Sequence, residues 1–277
     1  MSEDNASEVK SKKAAGGARA IWSGAIAFGL INIPVKLFSA TRENELSFNQ
    51  LRKSDHSRIK YLRVAAADGQ EVPYDQIVKG FEVEDGQYVV IEDEDIKSAS
   101  PKKTQSIEIL SFANEDEIDS VYFDKPYYLG PDKNAARAYS LLREALKQSK
   151  KVAVAKFILR TKENLAILKP EGDVLILNQI RYQSEVRESD GLNLPGADEV
   201  KESELDLALN LVNQLTQPFQ PAQYEDTFTA EIKRIIEQKA QGITPEVVGS
   251  APVQTKDDDL LASLRASIEA SKARVDA

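Results

Sequence analysis

Short apolar runs rich in β-branched residues recur from residue 19 to residue 182, and this pattern leaves few folds open to the chain. Turn-forming pairs such as Asp68-Gly69 and Asp85-Gly86 separate several of the runs. Many short strands at this spacing predict an antiparallel β-barrel or a β-sandwich. The runs are Ile21–Phe38, Leu46–Leu51, Ile59–Val64, Tyr88–Ile91, Ile107–Phe112, Val152–Leu159, Leu165–Leu168 and Val174–Ile180.

Helical periodicity interrupts and then follows the β region. A helix is predicted from Asp132 to about Ser149, because Ala135, Tyr139, Leu142 and Leu146 fall on one helical face. After Arg187 two more helices are predicted, over Lys201–Thr216 and Phe228–Ala240. We therefore expect a mainly β fold with α-helices, in which a helical arm is attached to a β domain.

Five segments are predicted along the chain. They are a disordered polar tail (1–18), a β core (19–187), a helical arm (188–242), a linker (243–256) and a C-terminal helix (257–277). The last helix carries a narrow apolar stripe of Leu260, Leu261, Leu264 and Ile268. A helix this short gains its stability by docking. It can dock on the chain's own core or on another protein, and the linker favours the second.

Composition excludes much enzyme chemistry. There is no cysteine and one histidine, His56, so thiolate nucleophiles and multi-histidine metal sites are ruled out. Gly24 and Gly29 have the spacing of a phosphate-binding loop, but Leu30 and Ile31 follow where lysine and serine or threonine are required. We predict a protein that is not an enzyme and needs no metal or cofactor. With no apolar run of membrane length, we expect a cytoplasmic protein with no membrane partner.

Charge is segregated along the chain. The net charge is −9, with 36 basic and 45 acidic residues. Residues 19–80 carry +3 and residues 125–187 carry +7, whereas residues 81–124 and 188–259 each carry −10. Such runs are commonly solvated faces. The alternative is a basic surface on one side of the molecule, with acidic surfaces outside it.

Cations alternate with apolar residues in two of the runs. A strand over Ala155–Lys162 would place Lys156, Arg160 and Lys162 on one face and Phe157 in the core. Arg58 and Lys60 alternate with Ile59 and Tyr61 in the same way. Cations on one barrel face could follow a phosphate backbone.

Several longer strings resemble the bacterial Ku family. They are ARAIWSGAIAFGLINIPVKLFSAT (18–41), EVPYDQIVKGFE (71–82), YYLGPD (127–132), AKFILRTKENLAIL (155–168), IRYQSEVR (180–187) and, in the arm, ELDLALNLVNQLTQPFQPAQYEDTF with IKRIIEQKAQG (204–242). The resemblance spans residues 19–242 and resumes over 259–274. It departs from some relatives at Val64–Asp68, where they carry a cysteine pair, so no metal is carried over.

The resemblance implies a Ku-type β-barrel with a helical arm, forming a ring-shaped homodimer through which a double-stranded DNA end threads. It also implies a bacterial, nucleoid-associated protein of non-homologous end joining whose flexible C-terminal tail ends in a helix that recruits DNA ligase D. Binding through the DNA backbone would be independent of sequence. The expected ligase-docking residues are Leu260, Leu261, Leu264 and Ile268, and the expected phosphate contacts are Lys36, Arg52, Lys53, Arg58, Lys60, Arg63, Arg160 and Lys162.

Two other functions remain open from sequence. The chain could be a barrel-plus-arm adaptor that binds only proteins, its cations being solvated. It could also bind single-stranded nucleic acid, which requires exposed aromatic residues for stacking. We expect most of the nine phenylalanines and nine tyrosines to be buried, which ranks this function last.

Overall fold

A computed structural model describes residues 19–42, 44, 46–99, 105–160, 162–196, 200–244 and 260–275. The predicted tail (1–18) and most of the predicted linker (245–256) lie outside these residues. The chain divides into two compact units, one containing residues up to Asn44 and Asn49–Arg187, the other Glu45–Phe48 and the chain from Glu188 onward. No helix within the described ranges is long and apolar enough to span a membrane.

The first unit is built on a closed barrel of seven strands. They are β1 (Trp22–Phe28), β2 (Ile31–Ser39), β5 (Ser106–Asn114), β6 (Phe123–Pro131), β7 (Lys151–Leu159), β8 (Lys162–Glu171) and β9 (Val174–Ile180). Their order around the barrel is β1-β2-β6-β9-β8-β7-β5. Neighbouring strands are antiparallel except β1 and β5, which close the barrel in parallel through Ala25–Ala27 and Ser106–Glu108. The structure thus confirms the predicted β fold with helices and selects the barrel over the sandwich.

The barrel interior follows the two-residue alternation of its strands. On β2, Ile33, Val35 and Leu37 are buried while Lys36 between them points outward. The first predicted run, Ile21–Phe38, is two strands, because Gly29 adopts a left-handed φ of 58° and turns the chain between Phe28 and Ile31. The largest fully buried side chains are Phe157, Ile26, Leu37, Ile107, Leu129, Ile167, Leu168, Leu175 and Leu177, together with Val35.

Helix α2 (Ala136–Ser149) packs on β7 and β8. Its predicted apolar face is confirmed, since Ala135, Tyr139, Leu142 and Leu146 are all buried. The Tyr139 hydroxyl donates to the carbonyl of Leu129 and accepts from the N–H of Leu175, both at 2.7 Å. Tyr139 therefore ties β6 and β9 together through one side chain.

Two predicted strands do not form. Leu46–Leu51 and Ile59–Val64 contain no ladder, only the isolated bridges Leu51–Arg58 and Val64–Glu71. We call residues 49–78 the ribbon. After it come the antiparallel hairpin β3 (Lys79–Glu84) and β4 (Gln87–Ile91) and the short helix α1 (Asp93–Ala99).

The second unit is helical in the part that the structure describes. It contains α3 (Glu202–Leu215), α4 (Thr227–Ala240) and α5 (Leu260–Val275). The first two agree with the predicted helices to within a residue at each end. Helix α5 packs against α3.

The Tyr139 hydroxyl offers a direct test of barrel packing. Replacing Tyr139 with Phe leaves the carbonyl of Leu129 and the buried N–H of Leu175 without this partner, so we expect the free energy of unfolding to fall by about 1–3 kcal/mol. Urea titration followed by circular dichroism measures the loss. Tyr128→Phe on β6 removes a hydroxyl from a half-exposed ring and should change stability much less. Equal losses in the two variants would contradict the role given to Tyr139.

Candidate nucleic-acid interface

Strand register defines one end of the barrel, which we call the ribbon end because the chain leaves β2 there toward the ribbon. Ser39, the last residue of β2, pairs with Tyr127 on β6. Ile180, the last residue of β9, pairs with Phe123 on β6 and Leu165 on β8. The β7–β8 turn therefore lies at the same end of the barrel.

Arg160 lies in this turn and Lys162 begins the next strand, so the strand predicted over Ala155–Lys162 is correct only as far as Leu159, with Phe157 in the core. Strand β7 ends at Leu159, Arg160 takes a left-handed φ of 62°, and Lys162 begins β8. A hairpin reverses the chain here, so the two cations lie on its tip. The Lys162 amino group pairs with Glu185 at 3.2 Å.

The ribbon carries five of the predicted phosphate contacts: Arg52, Lys53, Arg58, Lys60 and Arg63. Its first turn is closed by two hydrogen bonds, from the Arg52 N–H to the carbonyl of Ser57 and from the His56 N–H to the carbonyl of Arg52, both 2.9 Å. Because the turn reverses the chain, Leu51 lies opposite Arg58. Cations from both sides of the turn are thus presented on one short stretch of backbone.

Asp55 fixes that turn. Its carboxylate accepts hydrogen bonds from the Ser57 backbone N–H at 3.1 Å and from the Ser57 hydroxyl at 2.8 Å, and these bonds hold its pKa below the usual value. The ionised Asp55 also pairs with Arg52 at 3.3 Å. One negative charge therefore orders the turn and neutralises the first of its cations.

The eight predicted cations fall into two groups. Three pair with carboxylates: Lys36 with Asp132 at 3.7 Å, Arg52 with Asp55, and Lys162 with Glu185. In the part of the chain that the structure describes, the other five have no carboxylate within 4.0 Å: Lys53, Arg58, Lys60, Arg63 and Arg160. The Arg63 guanidinium lies over the Tyr74 ring, 5.3 Å from its centroid. Among the eight predicted phosphate contacts, those without a carboxylate partner are thus on the ribbon and on the β7–β8 turn.

Lys36 stands apart from these two places. It lies in the middle of β2, opposite Gly130, and its carboxylate partner Asp132 follows β6 toward the other end of the barrel. The structure does not bring Lys36 together with the ribbon cations.

Lys156, which shares the predicted basic face, is engaged elsewhere. Its amino group lies 2.8 Å from the Glu163 carboxylate, and the Tyr182 hydroxyl donates to the same carboxylate at 3.3 Å. The hydrogen bond from Lys156 holds the pKa of Glu163 below its usual value, and the same bond raises the pKa of Lys156. This pair fastens β7 to β8 rather than presenting a free cation.

Sequence reasoning missed Arg181, which follows β9 at the ribbon end. Its guanidinium donates to the carbonyl of Phe123 at 3.1 Å and pairs with Asp124 at 3.4 Å. It borders a polar cleft of about 210 Å³ lined by Asp124, Lys162, Asn164, Gln179, Ile180, Arg181, Tyr182 and Glu185. The available signal was its place directly after the apolar run Val174–Ile180, where the strand ends and a side chain reaches the barrel rim.

The apolar residues that alternate with the ribbon cations are not buried in a core. Ile59 and Tyr61, which were expected to point inward while Arg58 and Lys60 point outward, are 46% and 75% exposed. The expectation that most phenylalanines and tyrosines are buried is also wrong, since eleven of the eighteen are exposed: Phe28, Phe48, Tyr61, Tyr74, Phe81, Tyr88, Phe112, Tyr128, Phe219, Tyr224 and Phe228. Within one chain, the ribbon therefore displays cations and apolar side chains together.

The four predicted docking residues lie on α5, in the second unit. Leu264 and Ile268 are half-buried, whereas Leu260 and Leu261 are exposed. The stripe is therefore open at the start of the helix and partly covered one and two turns later.

Comparison with known proteins agrees with this fold. The profile of the Ku family, described as the Ku70/Ku80 beta-barrel domain, matches residues 27–207. Proteins named "Non-homologous end joining protein Ku" align with most of the chain. That of Opitutus terrae is 42% identical over 90% of this chain and 91% of its own length, that of Coxiella burnetii is 40% identical over 91% and 94%, and that of Bacillus subtilis is 37% identical over 95% and 86%. The chain is a Ku-type β-barrel protein. It belongs to the Ku family.

Proposed function

We propose that this chain acts in non-homologous end joining by binding double-stranded DNA ends as a homodimeric ring threaded onto the duplex. Family membership and the names of the relatives support the pathway. The observation that carries the binding proposal is the group of five cations without carboxylate partners, on the ribbon and the β7–β8 turn. Lys and Arg side chains neutralise phosphates on binding DNA, and phosphate contacts carry no sequence information.

The exposed apolar side chains of the ribbon support a second copy of the chain as the partner that completes the ring. Tyr61 and Leu62 are 75% and 68% exposed beside the cations. Apolar surface of this kind marks an interaction site. A two-fold interface would bury the same patch of both copies and double the number of cations facing the DNA.

We further infer that the chain is not itself an enzyme and recruits DNA ligase D through α5. The exposed Leu260 and Leu261, with Leu264 and Ile268 behind them, form the apolar stripe that a groove on the ligase would accept. The rival function is an adaptor that binds proteins without touching DNA. The exposed ribbon aromatics also offer single-stranded nucleic acid a surface for stacking.

Threading makes binding depend on a free end. We expect unlabelled linear duplex to displace a labelled linear duplex from the protein, while covalently closed circular duplex of the same sequence competes poorly. Equal competition by linear and circular duplex would contradict the ring mechanism. Competition by circular single strands would favour the stacking function, and no binding at all would favour the adaptor.

The ribbon cations set the salt dependence of binding. For Lys53→Ala/Arg58→Ala/Lys60→Ala, we expect weaker DNA binding and a slope of log K against log salt that is shallower by up to about 2.7, at about 0.9 for each phosphate that is no longer neutralised. Fluorescence anisotropy at several salt concentrations measures both. Lys147→Ala, at an exposed position of α2 on the barrel, is the control. If the control lowered the slope as much per charge as the ribbon variant, the ribbon would not be the contact surface.

Removal of residues 257–277 should separate DNA binding from stimulation of DNA ligase D. We expect DNA binding to remain near the full-chain level, because the cations that carry it lie in the first unit. Stimulation of DNA ligase D should be lost with the α5 stripe. Persistent stimulation in an end-joining assay on linear duplex would place the ligase contact elsewhere in the chain.

A further inference from the structure

Helix α3 carries apolar side chains on two faces, whereas a helix that packs on one side only needs a single apolar face. Leu205, Leu209 and Val212 are exposed. Leu207, Ala208 and Leu211 are half-buried and recur at helical spacing, so they share a different face. Since α3 packs against α5, this second face is the one that α5 covers.

Helix α5 uses part of its apolar stripe for the same contact. Leu264 and Ile268 are four residues apart, lie on one side of the helix and are both half-buried. Leu260 and Leu261 on the first turn remain 38% and 36% exposed. The stripe is therefore divided between a covered half and an open half.

We propose that α3 is an internal docking site for the C-terminal helix, and that it competes with DNA ligase D for Leu264 and Ile268. The inference rests on the proposed recruitment of the ligase by α5. Leu260 and Leu261 give the ligase a first contact while α5 is docked, and full engagement requires α5 to leave α3. The docked form is the restrained state, and the released form is the one that recruits.

The covalent connection favours the docked state. Nineteen residues separate Ala240 from Leu260, so α5 stays close to the unit that contains α3. Tethering over short distances gives effective concentrations in the millimolar range. The ligase competes with α3 for α5 at this high effective concentration. Its apparent affinity is therefore reduced in proportion to the fraction of chains in which α5 is released. If α5 is released about a tenth of the time, the full chain binds about tenfold more weakly than a chain in which α5 is always released.

The test compares the full chain with two leucine variants of α3. We expect Leu211→Ser in the covered face to bind DNA ligase D up to about tenfold more tightly than the unchanged chain, as measured by calorimetry. Leu209→Ser in the open face is the matched control and should leave the ligase affinity at the level of the unchanged chain.

Amide hydrogen exchange measures the docking of α5 on α3 in the absence of the ligase. Amides of α5 should be protected from exchange in the full chain, and Leu211→Ser should remove this protection while Leu209→Ser keeps it. DNA binding by each variant reports that the chain is folded. If Leu211→Ser fails to fold, the milder Leu207→Ala takes its place in both measurements, with a smaller change in the same direction.

The outcomes separate the two proposals. If Leu211→Ser and the unchanged chain bind the ligase equally, or if Leu211→Ser leaves the protection of α5 unchanged, the internal docking site is overturned and ligase recruitment stands. If neither the variants nor the unchanged chain binds the ligase, recruitment by α5 fails, and the proposed competition fails with it. A rise in affinity for Leu209→Ser equal to that for Leu211→Ser would also overturn the assignment of the covered face.

Discussion

Closure of the barrel by parallel pairing of β1 with β5 is the constraint on which the first unit depends. The other neighbouring strands of the barrel are antiparallel, whereas this pair is parallel and joins residue 25 to residue 106 across the whole ribbon and hairpin. Closing the sheet removes both of its edges, so the backbone groups of β1 and β5 find partners within the chain. It also encloses Ile26 and Ile107 completely. The long excursion between residues 39 and 106 is consequently held at both ends by one rigid frame.

The two ends of the barrel differ in the chemistry of their side chains. At one end, α2 closes the structure with a buried apolar face and the two hydrogen bonds of Tyr139. At the ribbon end, the side chains are charged, and ion pairs such as Arg181 with Asp124 and Lys162 with Glu185 hold them in place. Ion pairs this exposed contribute little to folding stability. They are better suited to positioning cations, and a phosphate could replace the carboxylate at small cost because both partners are already near water.

The sequence predicted the parts of the fold that bury their own apolar surface. The β character of the run Ile21–Phe38 and the helical face of α2 were both correct, because each is a local pattern whose apolar residues meet the same core. The ribbon was predicted as strands because Ile59 and Tyr61 have strand propensity, yet no core in the described part of this chain receives them. Arg160 was misplaced for another reason: a hairpin turn without glycine or proline leaves no composition signal, and only the left-handed backbone at Arg160 shows it. Ionic partners such as Asp132 for Lys36 were equally invisible, because strand pairing in space and not spacing in sequence brings them together.

The two isolated bridges of the ribbon have a consequence for the thermodynamics of assembly. A segment whose backbone hydrogen bonds close local turns without a strand ladder, and whose side chains are so exposed, has a low free energy of local opening. Any partner that fixes it must therefore offset the lost backbone entropy, about 1–2 kcal/mol for each residue ordered. A measured affinity for such a partner would understate the strength of the contacts themselves. It would also show a large negative heat-capacity change, the mark of folding coupled to binding.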